Sequence, residues 1–410
     1  MTLHRTLHMS GRDPHEQHRV ATPLELLFDL TFVVAFGIAG NEFAHQVAEG
    51  HYGPALIAFA VSMFAVCWAW INFSWFASAY DTDDWIYRLL TMLQMVGVAV
   101  FALGIPDMFE SAAAGGLFDE RVMVMGYVIM RLAMVCQWLR VASHDAARRQ
   151  TALTYAATLL IAQLIWVYLA FGAGLSVTAF LVAMIVPFAI ELAGPLIAER
   201  RIGTPWHPHH IAERYGLLAI IALGEGVVGT IASVSGSIKE GGWNSEALLL
   251  CAAGIGLTFT LWWIYFSLPF GELLHRNRNR SFVWGYGHMV VYAAIAAMGA
   301  GLHVAGYYLE HKSHISATAT LLSVAIPVAL FIVSIFFIYS WLAQGGEPTH
   351  KIKLAVAAIL GAAAVGLSLS GVGLVYCLLF LVLAPLAIVI GHEWKGQPLS
   401  AAGPHHVSRD

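Results

Sequence analysis

An acidic side chain in a long apolar stretch is the most informative chemistry in this sequence. Glu225 lies in Leu223-Gly224-Glu225-Gly226, about 15 residues into one such stretch. A charge near the centre of a bilayer costs roughly 2.5–3.5 kcal/mol on insertion scales. The flanking glycines let another backbone approach, or let a helix unwind. An acid in a glycine-interrupted helix at mid-depth is what a substrate or coupling-ion site requires. Glu25 and Asp29 stand four residues apart and share one helix face. Two readings of them stay open. They hold a proton or cation between them, or Glu25 caps the helix beside Thr22-Pro23 while Asp29 takes an Arg from another helix. Glu213 and Arg214 follow His210 closely and offer an acid–base group and an anion contact. Arg131, in mid-stretch, needs an acid, and Glu191, Asp29 and Glu225 are the candidates for an ion pair; the other reading is an anion or substrate contact. His288, after Gly285-Tyr286-Gly287, is the histidine best able to move a proton near neutral pH. His303 reads as a packing residue.

Metal chemistry is less well supported. Glu42-x-x-His45 has the spacing of carboxylate di-iron bundles, but those need two such motifs and two further Glu, and one copy is present. The His207, His209, His210 group lies in a Pro-containing loop and reads as solvated. No metal and no cofactor is expected; Glu42, His45 and His210 are the residues such a site would use. Cys67, Cys136, Cys251 and Cys377 stand alone in apolar sequence, as small core residues. Asn72, Gln94, Gln137 and Gln163 read as interhelical hydrogen-bonders. Trp68, Trp70, Trp75, Trp262 and Trp263 lie too deep for an interfacial belt, and either pack the core or wall a pocket for an apolar or cationic ligand.

The elements that carry these residues follow from composition. Of 410 residues, 59% are hydrophobic and 11% charged, against about 25% charged in soluble domains. That excludes a soluble globule and a disordered chain, and makes the bilayer a partner. The basic residues are dispersed, so no nucleic-acid face is expected. Crossing the hydrocarbon takes about 20 apolar residues. Twelve spans are expected: 24–47, 54–79, 86–106, 121–143, 151–173, 177–198, 210–235, 246–270, 283–308, 317–343, 352–371 and 373–391. The sequence before residue 20 lacks the apolar core and cleavage site of a signal peptide. One set of loops holds Arg140, Arg148, Arg149, Arg200, Arg201, Arg276, Arg278, Arg280, Lys351 and Lys353; the other offers Arg121, Lys239 and Lys312. This bias predicts a multi-pass membrane protein with both termini in the cytoplasm.

The second half echoes the first. Glu25 and Glu213 open spans 1 and 7, Trp70-Ile71 and Trp263-Ile264 match in spans 2 and 8, and Trp138-Leu139 and Trp341-Leu342 close spans 4 and 10. An even number of spans per unit gives two parallel six-helix repeats, 21–203 and 204–394, between tails 1–20 and 395–410. The fold class is thus an all-α membrane protein. Small-residue patches, Gly299 to Gly301 and Gly361 to Gly366, allow helix packing within a protomer or in a homodimer.

Thr22-Pro23-Leu24-Glu25-Leu26-Leu27-Phe28-Asp29-Leu30-Thr31-Phe32-Val33 resembles the opening signature of the bacterial low temperature requirement protein A family. His210-Ile211-Ala212-Glu213-Arg214-Tyr215-Gly216-Leu217, running on to Leu223-Gly224-Glu225, resembles its second signature. Leu261-Trp262-Trp263-Ile264-Tyr265-Phe266 looks like a third, which often ends in Asp where this chain has Ser267. Tyr286-Gly287-His288 is similar to the family's span 9 pattern. The resemblance runs over roughly 20–395. It implies a polytopic membrane protein linked by name to growth in the cold, and brings no biochemical activity. Its marked positions fall on Glu25, Asp29, His45, His210, Glu213, Arg214, Glu225 and His288.

Three functions compete. The first is a proton-coupled secondary transporter of a small molecule or ion, with Glu225 as the proton site and Asp29 and His288 relaying. The second is a membrane-embedded enzyme acting on a lipid or isoprenoid-like substrate, using Glu25, Asp29, His210, Glu213, Arg214 and His288. The third is an ion channel, for which the sequence offers no filter-like carbonyl loop.

Overall fold

The computed structural model describes residues 6–16, 19–242, 244–345 and 348–394. The tail expected at 395–410, part of the tail at 1–20, and the side chain of Lys239 lie outside the described residues. Twelve helices are long and apolar enough to cross a membrane among the described residues. They are Pro23–Ala48, Tyr52–Tyr80, Trp85–Ala114, Arg121–His144, Arg149–Phe171, Val177–Ala198, Pro208–Gly236, Ser245–Arg276, Arg278–Leu309, Ala317–Leu342, His350–Leu369 and Leu374–Glu393, here spans 1 to 12. Each expected span is present.

Local chemistry explains their ends and their breaks. Span 1 opens with a reciprocal cap: the Glu25 amide donates to Thr22 Oγ1, and the Thr22 amide donates to the Glu25 carboxylate. Asp84, Ser176, Asn244 and Ser316 cap four later helices through their side chains. Spans 3, 6 and 12 are each interrupted, at Gly104, Met184 and Val382. A proline follows within three residues in every case, at 106, 187 and 385. Its ring displaces the carbonyl four residues earlier and supplies no N–H, so the first helical segment stops there. Span 8 pauses before Pro269 for the same reason and resumes as Phe270–Arg276.

Span 9 is the most enclosed helix and packs on spans 1, 2, 7 and 10. Spans 3 to 6 pack in sequence on one side of spans 1 and 2, and spans 8, 11 and 12 complete the other side. Trp68, Trp70, Trp284, Tyr215 and Tyr292 are fully buried at the centre. Leu164, Ile359, Val34 and Leu30 project outward, more than half exposed, as the lipid-facing surface of a membrane bundle must. The segment before span 1 is laid across the end of the bundle that carries it. Its backbone donates from Leu7 to Asp84 (3.0 Å), from Met9 to His144 Nδ1 (3.0 Å) and from Arg12 to the Ala79 carbonyl (2.9 Å). Arg19, almost completely buried, donates to the Ala77 carbonyl at 2.9 Å. This is the terminal end of the bundle.

Candidate functional site

The capping geometry of span 1 aims Glu25 and Asp29 at the first turns of span 7. Arg214 meets both. Its Nη1 donates to Glu25 at 2.7 Å, and its Nη2 and Nε donate to Asp29 at 2.5 and 3.3 Å. His210 Nε2 lies 3.3 Å from Glu25, and the Trp70 indole donates to Asp29 at 2.7 Å. All four ionisable side chains are completely buried. Of the two sequence readings of the Glu25–Asp29 pair, this geometry contains the second: Glu25 caps, and Asp29 takes an Arg from another helix. The cluster clamps spans 1, 2 and 7 together. In so apolar a setting a carboxylate is tolerated only when paired and hydrogen-bonded. Glu213 points away from the clamp, accepting a 3.3 Å bond from the Ala21 amide.

Arg131 is elsewhere. It pairs with Glu191 of span 6 at 3.0 Å, one of its three sequence candidates. Tyr127 donates to the same carboxylate at 2.5 Å and Trp166 at 3.3 Å, and Arg131 also donates to Tyr127. This second clamp joins spans 4, 5 and 6, far in the chain from the first.

His288 sits within a shell of rings from Tyr215, Tyr265, Phe270, Trp284 and Tyr292. Its Nδ1 is 2.8 Å from the Trp284 carbonyl and its Nε2 is 3.1 Å from the Tyr265 hydroxyl. A carbonyl only accepts, so Nδ1 carries the proton and Nε2 accepts from Tyr265. Both ring nitrogens are spent on packing.

Glu225 differs from all of these. It is partly buried on span 7 and makes no hydrogen bond or ion pair among the described residues. Small residues make its berth. A Cβ built on Gly37 of span 1 would lie 2.8 Å from Glu225 Oε1, and one on Gly299 of span 9 would lie 2.8 Å from the Glu225 carbonyl carbon. Spans 1, 7 and 9 therefore cross in close contact around one unpartnered carboxylate. Span 7 stays helical throughout, so Gly226 and Gly229 serve close approach and not unwinding. A Cβ on Gly229, one turn further on, would meet the ring of His303 at 3.2 Å, and His303 Nε2 has no partner.

Glu42 and the exposed His45 lie at the far end of span 1 from His210, so the three do not converge. No three His, Cys, Asp or Glu side chains gather to hold a metal among the described residues. Trp262 and Trp263 face outward, nearly half exposed, while Trp68 and Trp70 are buried. Trp75 donates its indole N–H to the Tyr215 hydroxyl at 2.9 Å and lines a cavity of about 360 Å³.

The sequence offered Trp68 and Trp75 as walls of a pocket, without locating the cavity they line. It opens toward the terminal end, between span 2, the adjoining ends of spans 4, 5 and 6, the 203–206 connection and the start of span 9. Its size falls within the range of small-molecule sites, roughly 300–1,000 Å³. The walls come from so many segments that no local motif marks them. A further wall residue, Arg278, the sequence placed among topology-setting charges.

The chain is 27% identical over 310 residues to an uncharacterised protein of Rhizobium meliloti (strain 1021), covering 72% of this chain and 71% of that one. No solved structure matches it. The family described as bacterial low temperature requirement A protein (LtrA) matches residues 20–385, and the chain belongs to that family of multi-pass membrane proteins.

Proposed function

We propose that the chain is a secondary carrier of a small solute in the bacterial inner membrane, with Glu225 as its proton site. The observation that carries this reading is the unpartnered Glu225 carboxylate at the crossing of spans 1, 7 and 9. The other buried acids of the site are bound to arginine. An acid kept at mid-depth without a protein partner is costly, and protonation or a bound ligand relieves the cost. Glu25, Asp29 and His210, which an enzyme reading would use, are sealed from solvent and engaged with one another and with Arg214, which favours a clamp over a catalytic set.

Two six-helix repeats fit the same reading. Spans 6 and 12, the last of each proposed unit, both break three residues before a proline. The first spans of the two units meet each other, as expected where carriers place their sites between repeats. On the basic-residue bias the terminal end is cytoplasmic, so the cavity opens inward.

The test uses inverted membrane vesicles from cells making the chain, energised and reporting their pH gradient with acridine orange. They are challenged with a panel of small organic anions, cations and neutral solutes. A solute that discharges the gradient with the wild type and not with Glu225→Gln supports the carrier. Undiminished discharge by Glu225→Gln removes Glu225 from the coupling. Ion currents far above carrier rates would assign a channel instead.

A further inference from the structure

We infer that the cavity at the terminal end is a binding site for a small organic anion with a flat, apolar body, and that Arg278 recognises its charge. The inference deepens the carrier reading, which supplies only the purpose of the ligand; binding itself stands without it. Arg278 lies at the mouth of the cavity with its guanidinium 4.3 Å from the centre of the Trp206 ring. One N–H, on Nη2, donates to the Trp206 carbonyl at 2.6 Å. A guanidinium has five N–H donors. Four are left, with no carboxylate within salt-bridge distance among the described residues. Ring and carbonyl thus hold the guanidinium in place without consuming its charge. Such a pre-set fork matches a carboxylate or phosphate in two-point contact.

The other charge on the wall does not compete for that role. Glu199 Oε1 accepts from the Tyr155 hydroxyl and the Thr204 hydroxyl, both at 2.8 Å, and Oε2 accepts from the Thr204 amide at 2.9 Å. Gly203 closes over the remaining side, where a Cβ would lie 2.7 Å from Oε2. Glu199 therefore commits three of its acceptor sites to tying the 199–204 turn to span 5. Beside the neutral polar groups of Asn72, Asn279 and Ser281, much of the lining is aromatic: Trp75 and Trp206 meet edge to face at 4.7 Å, and Trp68 meets Tyr286 the same way at 5.1 Å. Rings in this arrangement take a flat apolar body. A cation would find the face of Trp206 already taken by Arg278 and would be repelled by it. Along span 2 the cavity is lined from Trp68 to Phe76, about 12 Å at 1.5 Å per residue.

The test is calorimetric titration of the full chain, purified in mild detergent, with three probes that share a phenyl ring and differ in charge: benzoate, benzyl alcohol and benzyltrimethylammonium. Benzoate is expected to bind at least tenfold more tightly than the other two. Arg278→Gln should weaken benzoate at least tenfold and remove the preference over benzyl alcohol. Arg278→Lys, which keeps the charge and loses the fork, should fall between. Arg280→Gln should bind as the wild type does, because Arg280 stacks on Trp341 and lies outside the cavity. If Arg278→Gln fails to fold, the probe preference of the wild type and the Lys variant still decide. Tighter binding of benzyltrimethylammonium than of benzoate, or benzoate binding unchanged in both Arg278 variants, overturns the inference. Phosphatidylglycerol added to the micelles tells the sources apart: competition with benzoate makes the natural anion a lipid headgroup, and none makes it a solute.

Discussion

Arg214 is the hinge of the clamp between spans 1 and 7, and its removal has a calculable consequence. Arg214→Met keeps most of the volume and deletes three charge-assisted contacts, at 2.5, 2.7 and 3.3 Å. Such bonds contribute roughly 1.5–3 kcal/mol each, but their sum overstates the effect, because a chain unfolded within a membrane finds other partners. What remains is two carboxylates with zero exposure facing each other without a cation, and breaking a buried pair from one side costs about 3–5 kcal/mol. Unfolding the purified protein with sodium dodecyl sulfate, followed by tryptophan fluorescence, should show that loss. The triple change Glu25→Gln, Asp29→Asn, Arg214→Met should recover to within about 1–2 kcal/mol of wild type, because it removes the stranded charges along with the cation. A loss below about 1 kcal/mol for Arg214→Met, or a triple variant as unstable as the single one, would refute the clamp.

Two further outcomes follow from the packing and from pH. Gly299→Val should destabilise by about 1–3 kcal/mol in the same unfolding assay, since any Cβ there meets the Glu225 backbone at 2.8 Å and forces spans 7 and 9 apart; wild-type stability would show that the helices do not touch there. Glu120, in the connection between spans 3 and 4, has its carboxyl pushed up to about 7 from 4.5 by burial. Between those values it is neutral when folded and charged when unfolded, so stability should fall as pH rises from 4.5 to about 7 and change no further above that. Glu120→Gln should lack this component in thermal midpoints measured from pH 5 to 8, and an identical pH profile would contradict the burial.

The sequence discloses much of this arrangement because hydropathy responds to length alone. Twelve apolar stretches near 20 residues long are enough to find every span. The same averaging hides the breaks at Gly104, Met184 and Val382: a proline lowers the hydropathy of a long window very little, yet it removes a backbone donor and stops the helix. Glu25, Asp29, Arg214 and His210 stand out individually because each is expensive in lipid. Their partnership joins residues 185 or more apart, which spacing on one helix cannot reveal. Arg131 shows the intermediate case, since its type demanded an acid and only the fold selects Glu191 from three. His288 shows the reverse. A histidine suited to proton transfer by type has both nitrogens committed once Trp284 and Tyr265 surround it. The cavity was the least legible feature, because aromatic residues on helices signal burial equally well whether they meet each other or a ligand.

The cavity and Glu225 lie at different depths, and their separation makes the carrier reading testable without knowing the natural solute. Tyr215 and Glu225 are ten residues apart on one unbroken helix, about 15 Å along its axis. From the cavity wall a set of contacts runs part of the way: Trp75 donates to Tyr215, whose ring meets Trp70, whose indole donates to Asp29, on the same helix as Gly37 at the Glu225 berth. A carrier whose solute and proton share one cycle must link the two sites energetically, and the linkage must be reciprocal. Benzoate binding should therefore change the number of protons bound to the chain. Repeating the calorimetry in buffers of different ionisation enthalpy measures that number directly. A non-zero value in the wild type that vanishes in Glu225→Gln, while benzoate still binds, would join cavity and carboxylate in one cycle. Tyr215→Phe, which leaves the Trp75 indole N–H without its acceptor, should reduce the proton count without abolishing binding. If benzoate binds and no proton is exchanged at any pH from 5 to 8, the cavity is a binding site uncoupled from Glu225, and proton coupling fails even though the anion site stands.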